Sequence, residues 1–405
     1  MMIVSIHFVT KHLLLTICTV VLLLEETHAI REAYESYHKT RLPIELSIKN
    51  FTYDNLIMPF NMPRTPGSIQ SRIIQEYIKD FYSFKLNNDW ILETDSFEEN
   101  EHNFTNLVFT LENPNYEINN DDDNRKYLLL AAHYDTLIPL SGFIGAMDSA
   151  ASCAILMYVS KYIDSLWTTE LRSSNGNDST ATNDNDGDDN NDSSSLNLHS
   201  RSLIDSGYGI KIVFFDGEEA IVKWTDTDSL YGARHLAQKW SENGTLEKLK
   251  LFVLMDLIGG QTDDRIKSFS ITSYFQSSHE YYKLLSTVED QYLDLIFEDQ
   301  NIATAQTEED DTDFSSKRNS NIERPSKELD PSNEVFILTS NIRIKDDHVP
   351  FHHHQVPILH LIPSPFPPHW HTMDDDFDHL DQEEINKWAV MMSEFTVLAA
   401  KMGND

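Results

Sequence analysis

Tyr127-Leu-Leu-Leu-Ala-Ala-His133-Tyr134-Asp135 is the stretch whose reading decides the fold. Tyr127–Ala132 is an apolar run of strand length, without the alternation of a half-exposed strand. It predicts a central strand buried on both faces. Three further runs share that composition: Ile210–Phe215 (IKIVFF), Leu251–Met255 (LFVLM) and Val356–Ile362 (VPILHLI). Helical spacing fills the gaps. Ser149–Leu166 carries Ala150, Ala154, Met157 and Tyr158, with Asp148 or Ser149 placed to cap its start. Ser68–Phe84 and Glu383–Lys401 are further helix candidates. Strands alternating with helices predict one α/β domain with a mainly parallel sheet.

The polar residues fall where such a sheet builds its sites. His133-Tyr134-Asp135 follows the first run, Asp216-Gly217-Glu218-Glu219 the second, and Asp256 the third. Asp148 ends the loop Ser141–Met147, and His371 follows the fourth run. In open α/β sheets, sites form outside the carboxyl ends of the strands, so these residues are expected at one edge. Taken singly, each has an ordinary reading. Asp256 reads as a turn residue, His133 as a hydrogen-bonded core histidine, and Glu218-Glu219 as a solvated turn. Those readings do not account for the joint placement. A set of histidine and carboxylates suits zinc, which takes imidazole nitrogen and carboxylate oxygen at ~2.0–2.2 Å. Neighbours on an extended chain point to opposite sides, so one of Glu218 and Glu219 can hold metal while the other faces substrate as acid/base.

Composition sets outer bounds. The net charge of −35 over 405 residues argues against nucleic acid as a partner. Much of that charge lies in two Ser/Asn/Asp- and Glu-rich stretches, at about 171–200 and 298–334. Both read as disordered acidic insertions, and neither has EF-hand spacing. Residues 1–29 read as a signal peptide, or as an uncleaved anchor: Lys11 and His12 precede the apolar run Leu13–Leu24, and Ala29 offers a cleavage point. That run of 12 residues is too short for a bilayer core of ~30 Å, so no stable membrane span is expected. Asn50, Asn103, Asn177, Asn191 and Asn243 occupy N-x-S/T acceptors, which suits a glycoprotein of the secretory pathway, secreted or luminal. Of the two cysteines, Cys18 lies in the leader, leaving Cys153 as a lone buried structural thiol. His352-His353-His354 reads as an exposed loop. The prolines at 363, 365, 367 and 368 stiffen the segment leading to Trp370-His371.

Several strings together resemble the glutaminyl-peptide cyclotransferases. They are His133-Tyr134-Asp135, Gly145-Ala-Met-Asp-Ser-Ala150, Phe214-Phe-Asp-Gly-Glu-Glu-Ala220 and Asp228-Ser-Leu-Tyr-Gly232. Asp256-Leu-Ile-Gly259, Asp346-Asp-His-Val-Pro-Phe351 and the long stretch Leu359–Asp375 complete the set. The resemblance spans roughly residues 60–400. It implies a three-layer α/β sandwich with a mostly parallel mixed central sheet, the fold of zinc aminopeptidases, over residues 30–405. It implies one Zn2+ per chain, with Asp148, Glu219 and His371 as ligands. Glu218 matches the general acid/base, and Asp256 with Asp346 the pair that holds the reacting amide. Trp224, Phe366 and Trp370 match the walls of a glutamine pocket. His133 and Asp135 fall at second-metal or supporting positions. The peptide bond joining Asp148 to Ser149 is expected to be cis. Ala132 stands where animal secretory members place a half-cystine, so that disulfide is absent.

The reaction so implied closes the N-terminal glutamine of a peptide or protein into pyroglutamate and releases ammonia. The retained His133 and Asp256 keep a two-zinc aminopeptidase open as an alternative, and an inactive luminal peptide-binding protein is a third reading. Neither oligomeric state nor the natural substrate has a signal in the sequence.

Overall fold

The computed structural model describes residues 30–116, 125–175, 203–265, 270–271, 275–310 and 344–402. In chain order the strands are β1 (Ile91–Glu99), β2 (His102–Leu111), β3 (Lys126–His133), β4 (Tyr208–Phe215), β5 (Leu249–Met255), β6 (Ser270–Ile271), β7 (Ile358–Leu361) and β8 (Pro363–Ser364). Six of them form one sheet in the order β1-β2-β4-β3-β5-β7, while β6 pairs with β8. The four strands β4, β3, β5 and β7 run parallel. The β1–β2 hairpin joins β4 antiparallel, making the sheet mixed. The helices are α1 (Lys39–Glu45), α2 (Ile69–Phe84), α3 (Ala151–Asn175), α4 (Tyr231–Glu242), α5 (His279–Asp310), α6 (His348–His353) and α7 (Gln382–Lys401).

The two-residue period of a strand divides the core into two. Leu128, Leu130 and Ala132 of β3 join Ile210, Ile212 and Phe214 of β4 in one apolar cluster, with α3 and α7. Tyr127, Leu129 and Ala131 join Val213, Phe215, Phe252 and Leu254 in the other, with Leu236 and Trp240 of α4 and Phe351 of α6. Apolar side chains on both faces require helices on both faces. The result is the expected three-layer α/β sandwich.

The expected strands and helices all form, with shifts of one or two residues at their ends except at the C-terminal end of α3. Ser68 caps α2, its Oγ accepting from the Ser71 amide at 2.9 Å. The Asp381 carboxylate accepts the Glu383 and Glu384 amides, so α7 opens one residue earlier than expected. Cys153 is buried and unpaired, and its thiol donates to the His133 carbonyl at 3.1 Å.

Four features differ from the sequence reading. The β1–β2 hairpin was not anticipated, because β1 alternates around mostly exposed residues. Neither Asp148 nor Ser149 caps α3 with its side chain: Asp148 Oδ1 meets His133 Nε2, Oδ2 has no hydrogen-bond partner, and the Ser149 hydroxyl donates to Asp256. α3 continues to Asn175 and α5 to Asp310, each into a stretch read as an acidic insertion. Packed turns nucleate a helix, and extending it costs little per residue. The rest of both stretches, 176–200 and 311–334, lies outside the described residues, as do the leader, Asn177 and Asn191. His352 and His353 form the exposed end of α6 rather than a loop, with His354 just beyond it.

Leu130, on the central strand and 1% exposed, tests the sandwich. Leu130→Ala is expected to lower the unfolding free energy by about 2–5 kcal/mol in urea titration. A loss below about 1 kcal/mol would contradict its placement between sheet and helices.

Candidate active site

The parallel strands bring the polar residues to one edge. His133 ends β3, and the Tyr134 amide continues the ladder to the Phe215 carbonyl at 2.9 Å. Asp256 follows β5, its amide donating to the Leu361 carbonyl at 3.0 Å. Gly217 sits at φ +74°, turning the chain after β4 so that Glu218 and Glu219 follow at once. Both their amides donate to the Asp135 carboxylate, at 3.1 and 3.2 Å. The Asp135 side chain therefore fixes the backbone of the two glutamates.

Asp148 arrives on the turn before α3. Gly145 there has φ +57°, and a Cβ at that position would lie 2.2 Å from the Asp148 carbonyl oxygen. Only glycine fits. The Asp148–Ser149 peptide bond is cis, as the resemblance implied. His371 closes the group from the proline-rich segment, its ring between Trp370, with centroids 4.1 Å apart, and Phe143 at 6.4 Å.

Three side chains converge here. His371 Nε2 lies 3.4 Å from Asp148 Oδ2 and 3.4 Å from Glu219 Oε1. Asp148 Oδ2 and both Glu219 oxygens are buried without a hydrogen-bond partner. Buried carboxylate oxygens left unsatisfied are costly, and a divalent cation among these three atoms relieves them. The donor set, one imidazole and two carboxylates, therefore fits a metal ion.

A second group capable of holding metal, His133 with Asp148 and Asp256, is already paired within itself. His133 Nε2 meets Asp148 Oδ1 at 2.9 Å, and Nδ1 meets Asp135 Oδ1 at 3.3 Å. Asp256 Oδ1 lies 3.4 Å from His133 Nε2 and accepts from the Ser149 hydroxyl at 2.5 Å. A third group joins Asp346, His348 and His360, all buried. His360 Nε2 and Asp346 Oδ2 are 2.6 Å apart.

Proton affinities follow from this crowding. Burial pushes the Glu218 carboxyl well above its ordinary range; the His133 charge opposes this, while Glu219, Asp346 and Asp347 add to it. Burial, with the neighbouring Asp148 charge, raises Glu219 to about 7 despite His371. Asp256 is raised by burial and by Asp346. Burial disfavours the charged His133 ring, yet its bonds to Asp135, Asp148 and Asp256 hold it well above the ordinary value. Burial likewise opposes charge on His371, and Asp148 with Glu219 overrides it, to about 10.

Of the expected pocket walls, Phe366 and Trp370 pair edge-on with centroids 4.7 Å apart. Trp370 is 38% exposed, so one face of that pair is open. Trp224 lies on the loop after Glu219 and packs partly buried against the α4-side core. Among the described residues no ring contact joins Trp224 to the Phe366–Trp370 pair. Four residues of this region were not singled out in the sequence. His360 carried a signal, since a histidine inside an apolar strand must find a buried partner. Asp347 and Asp375 sat in acidic strings that also read as solvated, and Arg64 had no local signal.

This fold, with two carboxylates and a histidine converging beyond the carboxyl ends of its parallel strands, defines an α/β protein of the metallopeptidase-like class. The chain belongs to peptidase family M28, whose pattern matches residues 106–324 and 304–396. An uncharacterized protein of Saccharomyces cerevisiae is 38% identical over 92% of this chain and 91% of its own. The glutaminyl-peptide cyclotransferase of Drosophila melanogaster is 29% identical over 88% of this chain and 85% of its own. The crystal structure of Macrostomum lignano glutaminyl cyclase superposes with a TM-score of 0.57 at 25% identity, covering 93% of this chain and 92% of that one.

His371→Ala removes one of the three converging donors. Bound metal, counted by elemental mass spectrometry after loading and desalting, is expected to fall well below the wild-type content. Unchanged content would remove His371 from the ligand set. Gly145→Ala is expected to lower metal content too; Gly142→Ala, which shares a positive φ (+89°) but whose Cβ meets only Met373 Cε at 3.5 Å, is the comparison that separates the steric clash from backbone strain alone.

Proposed function

We propose that this protein is a zinc-dependent glutaminyl-peptide cyclotransferase that converts the N-terminal glutamine of peptides and proteins into pyroglutamate. The observation that carries the reading is the contrast between the two ligand groups. Asp148 Oδ2 and both Glu219 oxygens have no hydrogen-bond partner and face His371, whereas both ring nitrogens of His133 are hydrogen-bonded to carboxylates. One cation beside a free carboxyl suits a reaction that needs no activated water. The relatives named as glutaminyl-peptide cyclotransferases and glutaminyl cyclase support the same reading.

Asp148, Glu219 and His371 would hold the Zn2+, which when bound supplies Lewis-acid polarisation of the substrate's amide carbonyl. The substrate carries its own nucleophile, since attack of its α-amine on the δ-carbon closes a five-membered ring. Intramolecular attack demands little further ordering. One C–N bond forms to the α-nitrogen, and the C–N bond to the amide nitrogen breaks. A proton must move from the first nitrogen to the second so that ammonia can leave. Glu218, the buried carboxyl next to Glu219 that is outside the ligand set, performs that transfer, taking the proton from the α-nitrogen and giving it to the leaving nitrogen. Asp256, oriented by Ser149, and Asp346, oriented by His360, hold the leaving amide nitrogen. Phe366 and Trp370, with Trp224, wall the side chain. Asp135 and His133 keep Glu218, Glu219 and Asp148 in place.

Residues 30–405 act as a single catalytic domain interrupted by the acidic insertions, behind a leader at 1–29. No helix among the described residues is long and apolar enough to cross a membrane. Asn50, Asn103 and Asn243 are exposed, as glycan acceptors in the secretory pathway must be.

A two-zinc aminopeptidase remains the competing reading, favoured by the group His133, Asp148 and Asp256. Mass spectrometry of a Gln-initiated peptide after incubation separates the two. The cyclotransferase removes one ammonia and leaves the peptide whole; release of free glutamine would establish hydrolysis instead. A chelator is expected to stop the loss of ammonia, and added zinc to restore it. Glu218→Gln is expected to slow ammonia release about 10²–10⁴-fold with zinc content unchanged. Wild-type turnover in that variant would remove Glu218 from the role of base.

A further inference from the structure

The turn that carries Asp148 is gripped from both sides by two residues that belong to neither the ligand set nor the acid/base pair. Arg64 is completely buried, and its donors all end on backbone carbonyls. Nη1 donates to Ile144 O at 2.6 Å, and Nη2 to Gly145 O at 3.1 Å. Nε reaches Tyr134 O at 2.7 Å, between His133 and Asp135. The remaining bonds, to Phe60 O at 2.7 Å and Met62 O at 2.9 Å, anchor the guanidinium to its own segment. On the other side, Asp375 takes the next two amides. Ala146 N donates to the Asp375 carbonyl at 3.3 Å, and Met147 N to its Oδ1 at 2.8 Å. Four consecutive residues before Asp148 are thus tied by two side chains and one carbonyl.

The two grips connect different parts of the site. Arg64 ties the Asp148 turn to the strand end carrying His133 and Asp135. Asp375 lies four residues after His371 in the same segment, where its amide donates to Thr372 O at 3.1 Å. It therefore ties the segment of one candidate ligand to the turn of another, across 228 positions of sequence. Asp148 Oδ2 and His371 Nε2 stand 3.4 Å apart without a hydrogen bond between them. Their spacing must be set by the backbone that carries them.

We propose that Arg64 and Asp375 are positioning residues that set the separation of Asp148 from His371 and thereby the affinity of the site for its metal. The proposal rests on the ligand assignment above. Supporting contacts of this kind contribute about 10–100-fold to metal affinity. What Asp375 supplies to Met147 is an acceptor oxygen, so an amide serves as well as a carboxylate.

The test compares zinc dissociation constants of wild type, Asp375→Asn and Asp375→Ala, measured by competition with a chromogenic chelator. Absorption spectra of the Co2+-loaded proteins report the ligand geometry. Asp375→Ala is expected to weaken zinc about 10–100-fold and to change the cobalt spectrum, whereas Asp375→Asn stays within about threefold and keeps the wild-type spectrum. A tenfold loss in Asp375→Asn would overturn the proposal, because the charge would then matter rather than the tie. So would wild-type affinity in Asp375→Ala. If Asp375→Ala does not fold, the Asp375→Asn result decides alone. A wild type that binds no zinc would overturn the ligand assignment, and this proposal with it.

Discussion

Mutual repulsion among buried carboxylates is the constraint on which the rest of this structure depends. Asp135, Asp148, Glu218, Glu219, Asp256, Asp346 and Asp347 are all buried at one edge of a single sheet. Each would cost several kcal/mol to bury alone in charged form, about the penalty that unpaired ions carry in proteins. The chain answers in three ways. His133 stands among Asp135, Asp148 and Asp256, with Nδ1 against Asp135 and Nε2 against Asp148 and Asp256. Backbone amides donate to Asp135 and Asp346. Other groups gain proton affinity, Glu218 and Asp347 above all, both through burial first. Asp148 Oδ2, the Glu219 carboxylate and the Asp347 carboxylate have no hydrogen-bond partner, and the first two face His371. Under the proposed function a metal ion would complete that balance at Asp148 and Glu219, and Glu218 is the neighbouring carboxyl assigned the proton transfer.

The sandwich makes this arrangement affordable. Helices on both faces exclude water from β3, β4 and β5, and the parallel order puts all their carboxyl ends at one edge. Rigid strand ends then present His133, Glu218, Glu219 and Asp256 with little freedom to relax away from one another. Asp148 and His371, the two candidate ligands on loops, are the ones that need extra ties. The glycine at 145 and the grips of Arg64 and Asp375 supply them.

The legible parts of the sequence were those where one physical demand dominates. Strands buried on both faces must be continuously apolar, so YLLLAA, IKIVFF and LFVLM declared themselves, and polar residues ending such runs marked the site edge. The β1–β2 hairpin did not, because half-exposed strands mix Glu93, Asp95 and Glu98 with Leu92 and Phe97 in no decisive pattern. Asp148 looked like a cap because its type and position suit one; the turn conformation that redirects it depends on contacts from residues 64 and 375. The ligand roles of Asp148, Glu219 and His371 came from the resemblance, and the structure adds that these three converge. Arg64 and Asp375 act on backbone groups distant in sequence, which no local pattern encodes. The acidic stretches hid the ends of α3 and α5, since helix extension from a packed turn leaves no compositional mark.

Crystallography of the zinc-loaded protein, with diffraction recorded on both sides of the zinc absorption edge, tests the central claim most directly. One anomalous peak per chain is predicted, at ~2.0–2.2 Å from Asp148, Glu219 and His371, with Glu218 outside the coordination sphere. Two adjacent peaks with His133 as a ligand, or a single peak among Asp346, His348 and His360, would contradict it.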